Sequence, residues 1–387
     1  MQRQLLFIPG PVMVSDPVLA AMARPMIDHR GPEFAALLAR IARGMQPLFG
    51  TQGEVLILGS SGSGGLEAAV TSAFTAGQKV LVCPIGVFGK RLANIARTWG
   101  LEVETIDTPN GYALDPQALA ARLRADTTGE IAGILLTQNE TSTGVQNEMA
   151  PLAASIGDHP ATVIVDAVSG LGASDFRMDE WGFDIVVTAS QKALAVPPGL
   201  ALVAVSSRAW ERIEKAGAPR FYFDLRKARD FAKLGQTPWT PPVSIAYAID
   251  VAIERYHAEG AENVWARHAR YARAIRAAAE ALGVEVFSQP GAHSSTVVAL
   301  NVPEGLQADA LRRSLREDAN VVIGGGQQEL KGKILRMGTM GALSRTDVLG
   351  GIGALEITLL GQGHRLQIGS GLRAALATFL GMETAAV

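Results

Sequence analysis

DIVVTASQKALAVPPGLALVAV, residues 184–205, sets two apolar runs, DIVVT (184–188) and GLALVAV (199–205), on either side of one charged side chain, Lys192. Both runs are apolar on successive residues, the pattern of strands buried on both faces and of parallel sheets covered by helices. Pro197, Pro198 and Gly199 mark the turn that leads into the second run. Lys192 is the only charged residue from Ile185 to Ser207. A solvated surface lysine is out of place there. Desolvation lowers the pKa of an amine and makes it a nucleophile for an aldehyde.

Working outward, five more strand-sized runs precede this segment: EVLIL (54–58), KVLVC (79–83), VETI (103–106), IAGILLT (131–137) and TVIVD (162–166). Amphipathic helical stretches at 66–74, 90–99 and 116–124 alternate with them. The alternation predicts an α/β domain with a mostly parallel seven-stranded sheet sandwiched by helices, its ligands at the carboxyl ends of the strands. After residue 206 the pattern changes. Pro-rich QTPWTPPVS (236–244) leads into a long helical region, 245–282, broken near Gly260. Short strands EVF (285–287), TVVALNV (296–302) and KILRMG (333–338) follow, with helices at 308–317 and 347–360, as in a smaller α+β domain. The expected division is an N-terminal arm over 1–17, a large domain over 18–258 and a small C-terminal domain over 259–387. An apolar helical stretch within 364–387 has no assigned place.

Composition is that of an ordinary globular chain. Its 387 residues are 48% hydrophobic and 19% charged, enough for two cores. With 35 basic and 37 acidic residues the net charge is −2, and no basic run marks a nucleic-acid surface. One cysteine, Cys83, leaves no internal disulfide and no multi-cysteine metal site. No apolar run reaches membrane-span length, and the apolar stretch cut by Pro9 and Pro11 is too short for a signal-peptide core; a cytoplasmic protein is expected.

Two further segments could carry chemistry with Lys192. LGSSGSGGLEAAV (58–70) ends a strand, passes a Ser/Gly loop and opens a helix near Gly65. Free N–H groups at a helix start, with hydroxyls from Ser60, Ser61 and Ser63, suit a phosphate, although a plain tight turn reads equally well. The spacing is neither that of a dinucleotide loop nor that of a P-loop. Asp166 ends the strand TVIVD, where it could cap the following turn or support a bound ring.

Phosphate loop, acid and lysine, each after a different strand, resemble the class V aminotransferases of pyridoxal-phosphate fold type I, in the alanine–glyoxylate and serine–glyoxylate branch. The resemblance spans nearly the whole chain and rests on FIPGPV (7–12), SSGSGGLEA (60–68), GVFGKR (86–91), NETSTGV (139–145), VDAVSGLG (165–172), SQKALAVPPG (190–199), TPWTPPVS (237–244) and ILRMGTMG (334–341). It implies that Ser61, Gly62, Ser63 and Gln191 hold the cofactor phosphate. Phe88 would stack on the pyridine ring, where many relatives have Trp or Tyr, and Val168 would pack on the other face. Ser142 would lie near the ring hydroxyl, and Asp166 would pair with the ring nitrogen. Lys192 would form the imine and carry the α-proton. Arg336 would clamp the substrate carboxylate, with Gly10 lining that pocket. Thr240 would reach the phosphate of a second subunit in a homodimer with a shared site, and Thr237 has a doubtful role beside it.

The implied reaction moves an amino group from a small amino acid of the alanine or serine type to glyoxylate or another 2-oxo acid such as pyruvate. A pyridoxamine–pyruvate aminotransferase, which takes the free vitamin as substrate, is the first alternative, and the intact SSGSGG loop ranks it second. A cysteine desulfurase would need a mobile cysteine, and Cys83 ends a strand beside Pro84. A non-catalytic α/β binding protein is the alternative from another class. No second basic residue stands beside Arg336 in the sequence, which argues against dicarboxylic donors.

Overall fold

A computed structural model describes residues 4–382. Residues 1–3 and 383–387, the outer ends of the expected arm and small domain, lie outside the described residues.

The larger sheet has seven strands, in the order β2 (Glu54–Leu58), β10 (Ala201–Val205), β9 (Ile185–Ala189), β8 (Thr162–Asp166), β5 (Ile131–Thr137), β3 (Lys79–Cys83) and β4 (Glu102–Thr105). All seven expected runs are present. β9, β8, β5, β3 and β4 run parallel, whereas β10 is antiparallel to both β9 and β2. Unbroken apolarity reports two-sided burial, and direction is set by the connection. Residues 190–200 are too few for a crossover helix, so the chain turns back on itself.

Side chains alternate between the two faces. Val186, Leu202 and Ala204 pack with α1 (Asp16–Ala21), α2 (Pro32–Phe49), α5 (Pro116–Arg124), α6 (Met149–Ile156) and α9 (Val243–Glu259). Val187, Ala201 and Val203 pack with α3 (Gly62–Ala73), α4 (Val87–Thr98), α7 (Ser207–Lys215) and α8 (Leu225–Lys233). A period of two along buried strands therefore makes two cores. A hairpin, β6 (Asn139–Glu140) and β7 (Val145–Gln146), follows β5.

The second sheet has the order β1 (Leu5–Phe7), β12 (Val321–Gly325), β13 (Ile334–Gly338) and β11 (Val297–Asn301). Its core is shared with α10 (Ala261–Ala281), α11 (Ala308–Ala319), α12 (Arg345–Gly361) and α13 (Ser370–Leu380). β1 pairs parallel with β12, so the N-terminal segment completes the C-terminal sheet. Phe7 is fully buried there, and a Cβ on Gly351 would lie 2.4 Å from its ring. The expected strand at 285–287 reduces to one bridge, Val286 to Leu300. The unplaced tail forms α13, which buries Ala375 and sets Phe379 edge-on to Tyr271.

Candidate active site

The carboxyl ends of β2, β5, β8 and β9 open on one cavity of about 360 Å³, walled by the Ser61–Ser63 loop, Phe88, Asp166, Val168 and Lys192. A second cavity of about 400 Å³ shares Gly10, Phe88 and Lys192 with the first and ends at Arg336.

Ser61 is the N-cap of α3, and the helix starts at Gly62. A Cβ on Gly62 would meet Val168 at 2.8 Å and one on Gly65 would meet Val187 at 2.8 Å, so the glycines let the helix start sit tightly on the sheet. Ser63 Oγ accepts a 3.1 Å hydrogen bond from Arg91, whose guanidinium stands 4.7 Å from the Phe88 ring centroid. The loop thus combines a helix N-terminus, hydroxyls and a cation, a donor set for a phosphate. Arg91 was missed in the sequence. The available signal was its position, one turn after Phe88 on the same helix face.

Asp166 is 5% exposed, and its Oδ1 accepts the Val168 N–H at 3.0 Å. The turn cap is therefore real. The second carboxylate oxygen has no protein partner among the described residues, and the residue lines the cavity. Burial pushes its carboxyl up to about 7, helped by Glu140 and opposed by the Val168 N–H, Lys192 and Arg91.

Lys192 Nζ donates to the Pro9 carbonyl at 2.6 Å. A Cβ on Gly10 would lie 2.6 Å from Nζ, and Gly10 has φ of +130°, so this position is closed to other residues. Burial pulls the amine down to about 8, against the pull of Asp166 and with help from Arg336 and Arg91. Gln191 also lines the cavity, and its buried Oε1 lacks a partner.

Arg336, on β13, is 7% exposed. It donates to Gly325 O at 2.8 Å and to Thr141 O at 2.9 Å, which leaves one terminal nitrogen without a partner among the described residues. Burial lowers its pKa to about 10; Glu140 opposes this and Arg312 adds to it.

Ser142, Thr237 and Thr240 line neither cavity of their own chain. Ser142 is fully buried, donates to Glu140 at 2.7 Å and accepts from Val87 N–H at 3.0 Å, while Asn139 and Thr141 line the cavity. Thr237 is buried and donates to Trp239 O at 2.8 Å. Thr240 is exposed, beside an aromatic group in which Trp239 stacks on Tyr222 at 5.4 Å, and lines none of the active-site cavity in its own chain.

Glu140 is a second missed residue. Fully buried, it accepts the N–H groups of Phe88 (2.9 Å) and Gly89 (3.1 Å) on one oxygen and both Ser142 donors on the other. It caps α4 and so fixes Phe88 at the cavity wall. Burial raises its pKa, and these four donors oppose the rise. Within NETSTGV its acid type gave no sign of burial.

The aminotransferase class-V family profile matches residues 17–343. The chain is 39% identical to L-aspartate–glyoxylate aminotransferase of Paracoccus denitrificans, over 96% of this chain and 94% of that one. The structure of ureidoglycine–glyoxylate aminotransferase from Bacillus subtilis superposes with a TM-score of 0.93 at 26% identity, covering 98% of this chain and 99% of that one. That of pyridoxamine–pyruvate aminotransferase from Mesorhizobium loti gives 0.92 at 32%, covering 97% of each. The family profile over most of the chain, the 39% identity over nearly its whole length and the shared fold agree, and the chain belongs to the class-V aminotransferase family.

Proposed function

We propose that this transaminase uses pyridoxal 5′-phosphate to move an amino group from a small amino acid of the alanine or serine type to glyoxylate or another 2-oxo acid such as pyruvate. The observation that carries the reading is the placing of Lys192 in the walls of two adjoining cavities, one lined by Asp166 and the other by Arg336. The residues fit the cofactor. The helix start with Ser61, Gly62, Ser63 and Arg91 suits its phosphate, the unpartnered Asp166 oxygen suits a ring N–H, and Phe88 and Val168 stand at the walls for the ring.

Pyridoxal phosphate bound here supplies an electron sink for the bonds at the donor's α-carbon. Arg336 binds the donor's α-carboxylate and fixes which bond of Cα meets Lys192. Lys192 Nζ, partly neutral near pH 7 because it is buried, takes the α-proton and holds it for return. Asp166 stabilises positive charge on the ring nitrogen. Pro9 and Gly10 hold Nζ in place, and Glu140 holds Phe88.

A half-reaction screen tests the reading. The holoenzyme is mixed with single amino acids, and loss of the aldehyde absorption band is followed. Alanine and serine are expected to convert it, and glyoxylate to restore it. A response to pyridoxamine alone would replace this reading with the free-vitamin one. Cysteine desulfuration finds no support: Cys83 is 1% exposed, and burial pushes its thiol up to about 12.

Lys192 also sets a pH expectation. Its neutral amine is the reactive form, so cofactor uptake by the apoprotein rises with pH through a midpoint near 8. An ordinary lysine would still be gaining rate above pH 10. Stopped-flow uptake rates from pH 6 to 11 distinguish the two.

The exposed Thr240 fits a homodimer in which it enters the partner's site, and a monomer that retains the cofactor tightly in sedimentation would contradict this. The arm, large-domain and small-domain division at 1–17, 18–258 and 259–387 and a cytoplasmic location complete the proposal. No helix among the described residues is long and apolar enough to cross a membrane.

A further inference from the structure

The cavity that ends at Arg336 is lined by two more arginines, Arg312 and Arg316. They are four residues apart on α11, on one helical face, with Leu311 and Leu315 buried beside them in the small-domain core. Arg312 packs against β12 so closely that a Cβ on Gly325 would lie 3.2 Å from its Nη1. Arg336 donates to the carbonyl of that same Gly325. The two guanidinium groups therefore meet at one residue, and Arg312 contributes to lowering the Arg336 pKa.

Protein partners leave much of this charge unmatched. Arg312 donates to Asp309 at 3.1 Å and to Ile323 O at 3.4 Å, while Arg316 has no partner among the described residues. No carboxylate among the described residues lines the cavity. An α-carboxylate on Arg336 would leave Arg312 and Arg316 still lining the cavity. The absence of a basic residue near Arg336 in the sequence is thus made good by a helix some twenty residues upstream.

We infer that Arg312, supported by Arg316, binds the distal carboxylate of an amino dicarboxylate of aspartate or glutamate length, which extends the donor class beyond the small amino acids. The inference rests on the transaminase reading, because Arg336 must hold the α-carboxylate. A distal carboxylate hydrogen-bonded to a guanidinium is worth roughly 10- to 100-fold in binding.

Two measurements test it. In the half-reaction, the kcat/KM ratio of aspartate to alanine is determined for the wild type, Arg312→Gln, Arg312→Lys and Arg316→Gln. The wild-type ratio is expected to exceed one. It should fall roughly 10- to 100-fold in Arg312→Gln, chiefly through KM, less in Arg312→Lys and least in Arg316→Gln. In calorimetry, succinate should bind the wild-type protein more tightly than propionate, and Arg312→Gln should remove that preference. Alanine turnover with a wild-type ratio below one, or a ratio unmoved by Arg312→Gln, overturns this inference alone. No conversion by either donor overturns the transaminase reading and takes the inference with it. The wild-type comparison of succinate with propionate needs no variant, and equal affinities also overturn the inference.

Discussion

Replacing Lys192 with alanine is expected to slow both half-reactions by at least about 10³-fold while leaving the fold intact. The size follows from the two tasks that meet on one atom. In the proposed mechanism Nζ is both the amine that links to the cofactor aldehyde and the base that takes the α-proton. The cost to stability is small because the side chain projects into a cavity and makes one side-chain hydrogen bond, to the Pro9 carbonyl. Melting within a few degrees of wild type, with the absorption band shifted to that of unlinked aldehyde, is the expected signature. Lys192→Arg should not recover the rate, since guanidinium stays protonated. Added methylamine should recover part of it in Lys192→Ala, because a small free amine can occupy the vacated space and accept the proton. That rescue separates proton transfer from mere packing. A variant that keeps activity within tenfold of wild type, or a wild type with no band at all, would take the imine and proton-transfer roles away from Lys192.

Lys192 and Asp166 were readable in the sequence because each is a charged type in an apolar setting, at the end of a run that only a buried strand explains. The seven runs of the large sheet were readable for the same reason, as period and burial are local properties. What escaped depends on distant contacts. β1 is three residues whose partner, β12, lies near the other end of the chain. β12 itself, VVIGG, is too short and glycine-rich to stand out. Arg312 and Arg316 sit in ADALRRSLREDA, where charges look like a solvated helix face. Only the packing of α11 on β12 turns two of them toward Arg336. The hydrogen bonds of Ser142 escaped for a related reason. The hairpin places its hydroxyl on Glu140, and Glu140, buried to hold the start of α4, had no distinguishing mark among NETSTGV.

Asp166→Asn is expected to have opposite effects on rate and on stability. Transamination should fall about 10²- to 10³-fold, because the amide carries no charge to hold the ring nitrogen protonated. The apoprotein should gain stability. In the folded chain the carboxyl titrates near 7, against 3.8 for the ordinary group, chiefly because it is buried. The folded state therefore binds the proton more tightly. Its stability contribution is complete below about pH 4 and is lost as pH rises through 7. Above that, wild-type apoprotein carries a buried anion at a cost of up to roughly 4 kcal/mol. Asparagine removes this charge and still offers Oδ1 to the Val168 N–H. The variant's apoprotein should melt several degrees above wild type at pH 8, and the gap should close toward pH 4. Cofactor binding sets a cation against the carboxylate, so pyridoxal phosphate should raise the melting temperature of the wild type more than that of the variant. Melting curves of both proteins at pH 5 and 8, with and without the cofactor, give all four comparisons. A variant apoprotein less stable than wild type at pH 8 would mean that the Asp166 anion is already matched within the protein. The acid would then be part of the scaffold, and the pull on the ring nitrogen would have to come from another group.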